Sequence, residues 1–337
     1  MNLSVLKPGL QTTLQDCGRH GYAASGVGAS GAMDDVALRL ANALVGNAAC
    51  AAALEMTLVG PRLRVGGDIA LALTGARIDA RCVDANGTET QLQMWRSMRV
   101  RAGSILHCGA ITRGARSYLA VGGGFEATRV LGSLSTDINT GLGPFGGRAL
   151  KARDVLKIGP SRTADTAREQ SASAHGARAK PPWSLDPRPW SAPWPTQPVR
   201  LLRGTHFGAL DADSRRRMFD SEFRIAGESN RVGLRLEGSP LRLSAPLELI
   251  SEPVATGTVQ LPPDGQPIVL MVEHPTTGGY PRIGQIAAVD LPILGQCRPG
   301  DALRFAPIEL DEAQTRYLAR ERELALLIET IAERLVR

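Results

Sequence analysis

Aromatic residues make up only 4% of this 337-residue chain, so stacking platforms for unpaired bases are scarce. Lysine is almost missing too: Lys7, Lys151, Lys157 and Lys180 stand against 35 arginines, which are spread without a basic run. The formal charge of +6 therefore lacks the local concentration that nucleic-acid binding requires, and none is expected. No uninterrupted apolar run reaches membrane-spanning length, so no membrane association is expected. The opening MNLSVLKPGLQTTLQD lacks the charged, apolar, small-residue plan of a signal peptide, and cytoplasmic residence is expected. Cys17, Cys50, Cys82, Cys108 and Cys297 are odd in number, scattered, and contain no CxxC pair. That pattern argues against a disulfide framework and a cysteine-built zinc site. Packed apolar thiols are expected, with a nucleophilic role open for each. There is no P-loop, no HExxH and no GxSxG elbow. Five isolated histidines, His20, His107, His175, His206 and His274, make no ligand spacing, so no metal is expected.

What is present is a globular composition, 43% hydrophobic, in a chain long enough for two domains. Residues 1–160 read as a domain of short strands with one helical insertion. Asp34 and Asp35 put negative charge at a helix start, Val36, Leu40, Ala43 and Leu44 recur at helical spacing, and Gly46-Asn47 stops it. An alanine-rich turn over 48–55 is expected next. Strands are predicted over 69–74, 77–83, 88–94, 98–102 and 117–121, with Asn86-Gly87 as a hairpin signal. Residues 161–198 turn small, polar and then proline-rich, and read as a mobile linker with a stiff, extended second half. Its Trp183, Trp190 and Trp194 either pin it across domain surfaces or recognise a partner. A second strand-rich domain follows over 199–307, with strands predicted at 222–226, 247–251, 258–261, 267–272 and 302–306. Residues 308–337 form an amphipathic helix whose Tyr317, Leu324, Ile328, Ile331 and Leu335 share one face, expected to dock on its own domain or on a partner protein.

The polar groups concentrate in glycine-rich loops, where small-molecule chemistry commonly sits. TTLQDCGRHGY (12–22) holds Asp16 and Arg19. GVGASGAMDD (26–35) feeds backbone amides into a helix start, a seat for a carboxylate or phosphate. GSLSTDINTGLGPFGGR (132–148) carries Ser133, Thr136, Asp137 and Arg148, while GTVQLPPDGQP and TTGGYPRIG add Gln260, Thr277, Gly278, Gly279 and Tyr280. Each loop also has a plain reading as a turn. Gly122-Gly123-Gly124 follows a strand but lacks the helix a dinucleotide site needs.

Read in order, GLQTTLQDCGRHGY, SGAMDDVALRLANALVGN, AALEMTLVGP, ALTGA, YLAVGGGF, LGSLSTD, SNRVGLRLEG, GTVQLPPDGQPIVLM and TTGGYPRIG resemble the KipA family. That family is also called biotin-dependent carboxyltransferase-like, allophanate hydrolase subunit 2, or the C subunit of 5-oxoprolinase. The resemblance spans both domains and omits the linker and last helix. It implies a mainly β protein: two cyclophilin-like β-barrel domains, joined by the linker, with the active site at or near their junction. It implies two partners, a KipI-like protein and a LamB/YcsF-like protein. The implied activity is ATP-dependent hydrolysis of the 5-oxoproline lactam to glutamate, with ATP bound here or through the partners. The alternatives are a carboxyltransferase moving a carboxyl group from carboxybiotin to urea or a similar amide, and a non-catalytic regulator that binds the KipI-like protein. Four positions depart from the family pattern. Glu273 stands for the commoner Asp, Pro275 for Gln, Leu134 for Arg, and His206 replaces a Gly-Pro-Gln-like turn. The first two flank the glycine loop and bear on substrate identity.

These substrates share a planar N–C=O group, a poor electrophile whose oxygen must be polarised while protons on nitrogen are managed. Gly278 and Gly279 amides are candidates for polarising it, and Gln260 and Thr277 for hydrogen-bonding its oxygen or N–H. Tyr280 is a candidate proton relay or a packing group. Asp16, Asp34 or Asp290 is a candidate base if partly desolvated, and Arg19 or Arg148 a forked partner for a substrate carboxylate. The plainer readings make Asp34 a helix cap, Asp290 a strand-end turn and Arg148 half of a surface ion pair.

Overall fold

A computed structural model describes residues 1–161, 178–179, 182–191 and 197–336. The rest of the expected linker, with His175, Lys180 and Trp194, lies outside the described residues. The chain is mainly β with a few helices and divides into two compact units. Unit 1 is Met1–Gly18, Asp34–Ser191 and Leu324–Arg337; unit 2 is Arg19–Met33 and Ala192–Glu323. Neither is a single stretch of chain, unlike the division read from the sequence. Among the described residues no helix is long and apolar enough to cross a membrane.

Unit 1 is built on an eleven-stranded sheet, counted among the described residues. Its spine is the antiparallel pair Ile69–Val83 and Ile105–Val121, from Leu71 opposite Val121 to Val83 opposite Ile105. The strands predicted at 69–74 and 77–83 are thus one strand. Gly75 (φ +78°) sits at a register shift, and a Cβ there would meet the Arg116 carbonyl oxygen at 2.6 Å, so a bulge replaces the expected break. The helix Asp35–Leu44 packs its Val36, Leu40 and Ala43 with Trp95, while Leu3, Leu54, Leu63 and Leu119 belong to the main core. After it comes only a short turn. The expected alanine-rich turn over 48–55 gives way to the strand Ala53–Thr57, which pairs with Gln11–Gln15.

That pairing sets Gln15 opposite Ala53 and brings Cys17 and Cys50 to one end of the ladder. They form a disulfide with Cα atoms 5.2 Å apart, correcting the expectation of packed thiols. Spacing in the chain could not reveal a neighbour set by strand pairing. Cys82, Cys108 and Cys297 are buried free thiols. Burial pushes the Cys108 thiol up to about 12, which removes it as a nucleophile.

The last helix, Leu310–Val336, is divided between the units at Leu324. Its Leu324, Ile328, Ile331 and Leu335 cluster with Val36, Leu40, Ala43 and Trp95 of unit 1 rather than with the domain preceding the helix. Tyr317 is 38% exposed and falls outside the buried face. Trp183, Leu185 and Trp190 join the same cluster, which supports the pinning role for those two tryptophans.

Unit 2 holds an eight-stranded sheet, again among the described residues. Its two edge strands, Ala302–Leu303 and Phe305–Pro307, are separated in the chain by Arg304 alone, so the sheet curls until its edges almost meet. Val199, Leu201, Phe223, Val259, Ile283 and Phe305 fill this near-barrel. No strand forms over 247–251, because exposed Leu247 and Ile250 have no sheet face to join. A separate two-stranded ribbon pairs Glu252–Pro253 with Thr277–Gly278.

Candidate functional site

In unit 2 the strand Arg282–Ile286 lies between Val199–Arg203 and Thr258–Gln260. At the end of this triplet is a cavity of about 310 Å³ walled by Gly204-Thr205, Pro253–Ala255, Thr258, Arg282 and Gly284-Gln285. Gly204 permits the approach of two chain segments, since a Cβ there would lie 2.4 Å from the Arg282 carbonyl oxygen. His206 clamps Arg282 from both sides. Its ring Nδ1 accepts the Arg282 N–H at 3.1 Å, and its own N–H donates to the Arg282 carbonyl at 3.0 Å. Acceptance at Nδ1 puts the ring proton on Nε2. Thr258 Oγ1 donates to Gln285 Oε1 at 2.9 Å, and Gln285 Nε2 donates to the Thr256 carbonyl at 2.9 Å. The wall is a preset hydroxyl–carboxamide relay carrying one cationic side chain, Arg282.

Behind this wall stands the ribbon. Val254 N–H donates to Thr276 O at 3.1 Å, and the next bonded pair of the antiparallel ladder joins Glu252 and Gly278. Gly278 N–H is thereby committed to the ladder. The Gln260 side chain is buried against Gly278, where an added Cβ would meet Gln260 Nε2 at 2.3 Å. Among the described residues, that Nε2 has no hydrogen-bond partner. Gly279 and Tyr280 are exposed at the ribbon end. Sequence reasoning therefore picked out Thr277, Gly278 and Gln260, as parts of glycine-rich loops rather than of a ribbon and its backing, but not the cavity lining of Thr258, Arg282 and Gln285, although Arg282 lies in the quoted TTGGYPRIG.

A second buried group in unit 2 was also missed. Arg231, 3% exposed, pairs through Nε with Glu273 and donates through Nη2 to the Gly31 carbonyl at 2.7 Å. It fastens the glycine loop 26–31 to the segment preceding TTGGYP. The SNRVG motif held the signal, an arginine flanked by residues of a tight turn. Arg19 is buried in this unit, its backbone N–H donating to Ala29 O at 2.7 Å. Asp290, 1% exposed, accepts Arg200 N–H at 2.7 Å and Nε at 2.9 Å and is ion-paired with that guanidinium. Burial pulls the His274 imidazole below its ordinary range, against a contact with the Pro275 carbonyl that raises it.

Unit 1 brings together the loops 12–18 and 132–137. Asp16, 4% exposed, accepts Ser133 Oγ and Ser135 Oγ at 2.6 Å each, Leu134 N–H at 2.7 Å and Gly18 N–H at 2.8 Å. Burial raises its carboxyl pKa, but the serine and backbone hydrogen bonds outweigh it and hold the group below the ordinary range. Asp16 stays ionised, a weak base. Asp34 caps the helix Asp35–Leu44 by accepting Ala37 N–H at 2.9 Å, while its own N–H donates to Tyr118 Oη at 2.8 Å. Tyr118 donates in turn to Glu55 at 2.7 Å. Arg148 forks onto Asp154 at 2.7 and 2.9 Å. Among the described residues, no cluster of three or more His, Cys, Asp or Glu could hold a metal ion.

The family model of the carboxyltransferase domain, subdomain A and B, matches residues 25–307, and the chain belongs to that family. It is 39% identical over 311 residues to the C subunit of 5-oxoprolinase from Escherichia coli (strain K12), covering 92% of this chain and 93% of that one. Identity is 35% over 325 residues with the corresponding 5-oxoprolinase chain of Haemophilus influenzae, 96% of each chain. Among solved structures, K. lactis urea amidolyase superposes with a TM-score of 0.83 at 28% identity over 96% of this chain. The chain spans only 20% of that protein.

Proposed function

We propose that this chain is the C subunit of an ATP-dependent 5-oxoprolinase, opening the lactam of 5-oxoproline to glutamate together with a KipI-like and a LamB/YcsF-like protein. The observation that carries this reading is near end-to-end similarity to the E. coli protein, 92% of one chain and 93% of the other. The unit 2 cavity supports it chemically. A planar N–C=O group needs a donor for its oxygen and an acceptor for its N–H: the Thr205 hydroxyl can donate, and Gln285 Oε1 keeps a second lone pair beyond the one that Thr258 uses. These groups are fixed before substrate arrives, which is what electrostatic stabilisation requires. Gln260, Thr277 and Gly278 back the wall, and Gly279 and Tyr280 remain the substrate-facing candidates of the ribbon. Asp16, Asp34 and Asp290 are taken up by structural hydrogen bonds, which favours a base from elsewhere in this chain or from a partner. ATP serves as co-substrate, contacted jointly with the partner proteins.

A second reading, carboxyl transfer from carboxybiotin to urea or a similar amide, is supported by the urea amidolyase superposition. Co-expression with the two partner proteins, followed by an assay of glutamate from 5-oxoproline with and without ATP, separates the readings. ATP-dependent glutamate release that requires this chain is expected. Carboxylation of urea with free carboxybiotin, in place of glutamate release, selects the second reading. Glutamate release that does not need this chain leaves it a regulatory role.

A further inference from the structure

We propose that Arg282 is the residue that binds the carboxylate of the lactam substrate, and that Glu252 occupies its guanidinium until that carboxylate displaces it. The inference rests on the 5-oxoprolinase reading and names the anion subsite within the same cavity. Among the described residues lining the cavity, Arg282 alone carries a formal charge. Its backbone is held by His206 on both the N–H and the carbonyl side and by pairing opposite Gln260, so the side chain starts from a fixed base. The guanidinium is ion-paired with Glu252 and only weakly engages the Pro253 carbonyl, at 3.4 Å.

The two partners differ in how firmly they are placed. The Arg282 side chain is 26% exposed, whereas Glu252 is 47% exposed and sits on a strand two residues long. Other arginines are less available. Arg148 is forked onto Asp154, with that carboxylate 13% exposed, and Arg231 and Arg200 pair with buried Glu273 and Asp290. Exchanging the Glu252 carboxylate for a substrate carboxylate keeps the site neutral and preserves a charge-assisted contact. A small lactam acid fits about 310 Å³, with its ring amide toward Thr258 and Gln285.

The test is steady-state kinetics of the assembled complex on 5-oxoproline with Arg282→Gln, Arg282→Lys and Glu252→Gln variants, each checked for an unchanged thermal midpoint. Arg282→Gln is expected to raise KM about 10- to 100-fold with kcat little altered, the size of one charge-assisted contact. Arg282→Lys is expected to recover part of that loss. Glu252→Gln is expected to lower KM, because it frees the arginine. An unchanged KM in Arg282→Gln, or a rise in KM of the same size in Glu252→Gln, overturns the assignment and leaves the pair structural. A wild-type complex that releases no glutamate defeats the 5-oxoprolinase reading itself, which is a different outcome from a silent Arg282→Gln.

Discussion

Asp16, picked out for chemistry, is held by a dense set of hydrogen bonds. Its carboxylate accepts four hydrogen bonds, two of them from Ser133 and Ser135 more than a hundred residues away. Replacing it by Asn turns one acceptor into a donor facing donors, and a loss of roughly 2–4 kcal/mol is expected in urea titrations. The pH dependence has a definite sign. A carboxyl held below its ordinary value of 3.8 contributes stability that is fully present above that value and is lost as pH falls through the folded-state pKa. The gap in thermal midpoint between wild type and Asp16→Asn should therefore be constant near neutrality and shrink below about pH 4. A gap that widens with acid contradicts this. Arg231→Met should cost about 3–5 kcal/mol by leaving Glu273 buried without its cation, and Glu273→Gln in the same chain should restore part of it. The sequence made Asp16, Gln260 and the glycine loops legible because polar groups among glycines stand out. It hid Arg231, Arg282 and Glu252, because an arginine is informative only once burial and its partner are known.

Secondary elements were legible where the pattern is local. The helix Asp35–Leu44 announces itself through its acidic start and apolar spacing, and the Asn86-Gly87 hairpin through its turn residues, with Arg81 opposite Gln91 across it. The segment 247–251 misled because an alternating apolar pattern forms a strand only where a sheet edge accepts it. The ribbon offers a sharp steric test. Gly278→Ala places a methyl against Gln260 Nε2, and Gly278 has no positive φ, so the penalty is contact alone. Gly278→Ala is expected to depress stability, and Gly278→Ala with Gln260→Ala to recover more than the sum of the separate effects allows, read from a double-mutant cycle. For the last helix, Leu324→Ala empties part of the cluster around Trp95 and should cost about 2–5 kcal/mol, with a change in tryptophan emission.

At the scale of the whole molecule, the units are assembled from distant pieces of chain, so no compositional boundary could reveal them. Leu324–Arg337 belongs with Met1–Gly18 and Asp34–Ser191, and Arg19–Met33 belongs with Ala192–Glu323. The Cys17–Cys50 bond follows from the same long-range organisation, with a sequence separation of 33. Removing it with Cys17→Ser and Cys50→Ser should cost about 2–4 kcal/mol in unfolding free energy, and a thiol reductant should bring wild type to the same urea midpoint. The central claim is that the cavity beside Arg282 receives the lactam. Hydrogen exchange of the assembled complex, compared with and without 5-oxoproline, measures this most directly. Slower exchange over 252–260 and 282–286 is the result expected. Unchanged exchange there, with protection confined to 14–18 and 133–137, contradicts it.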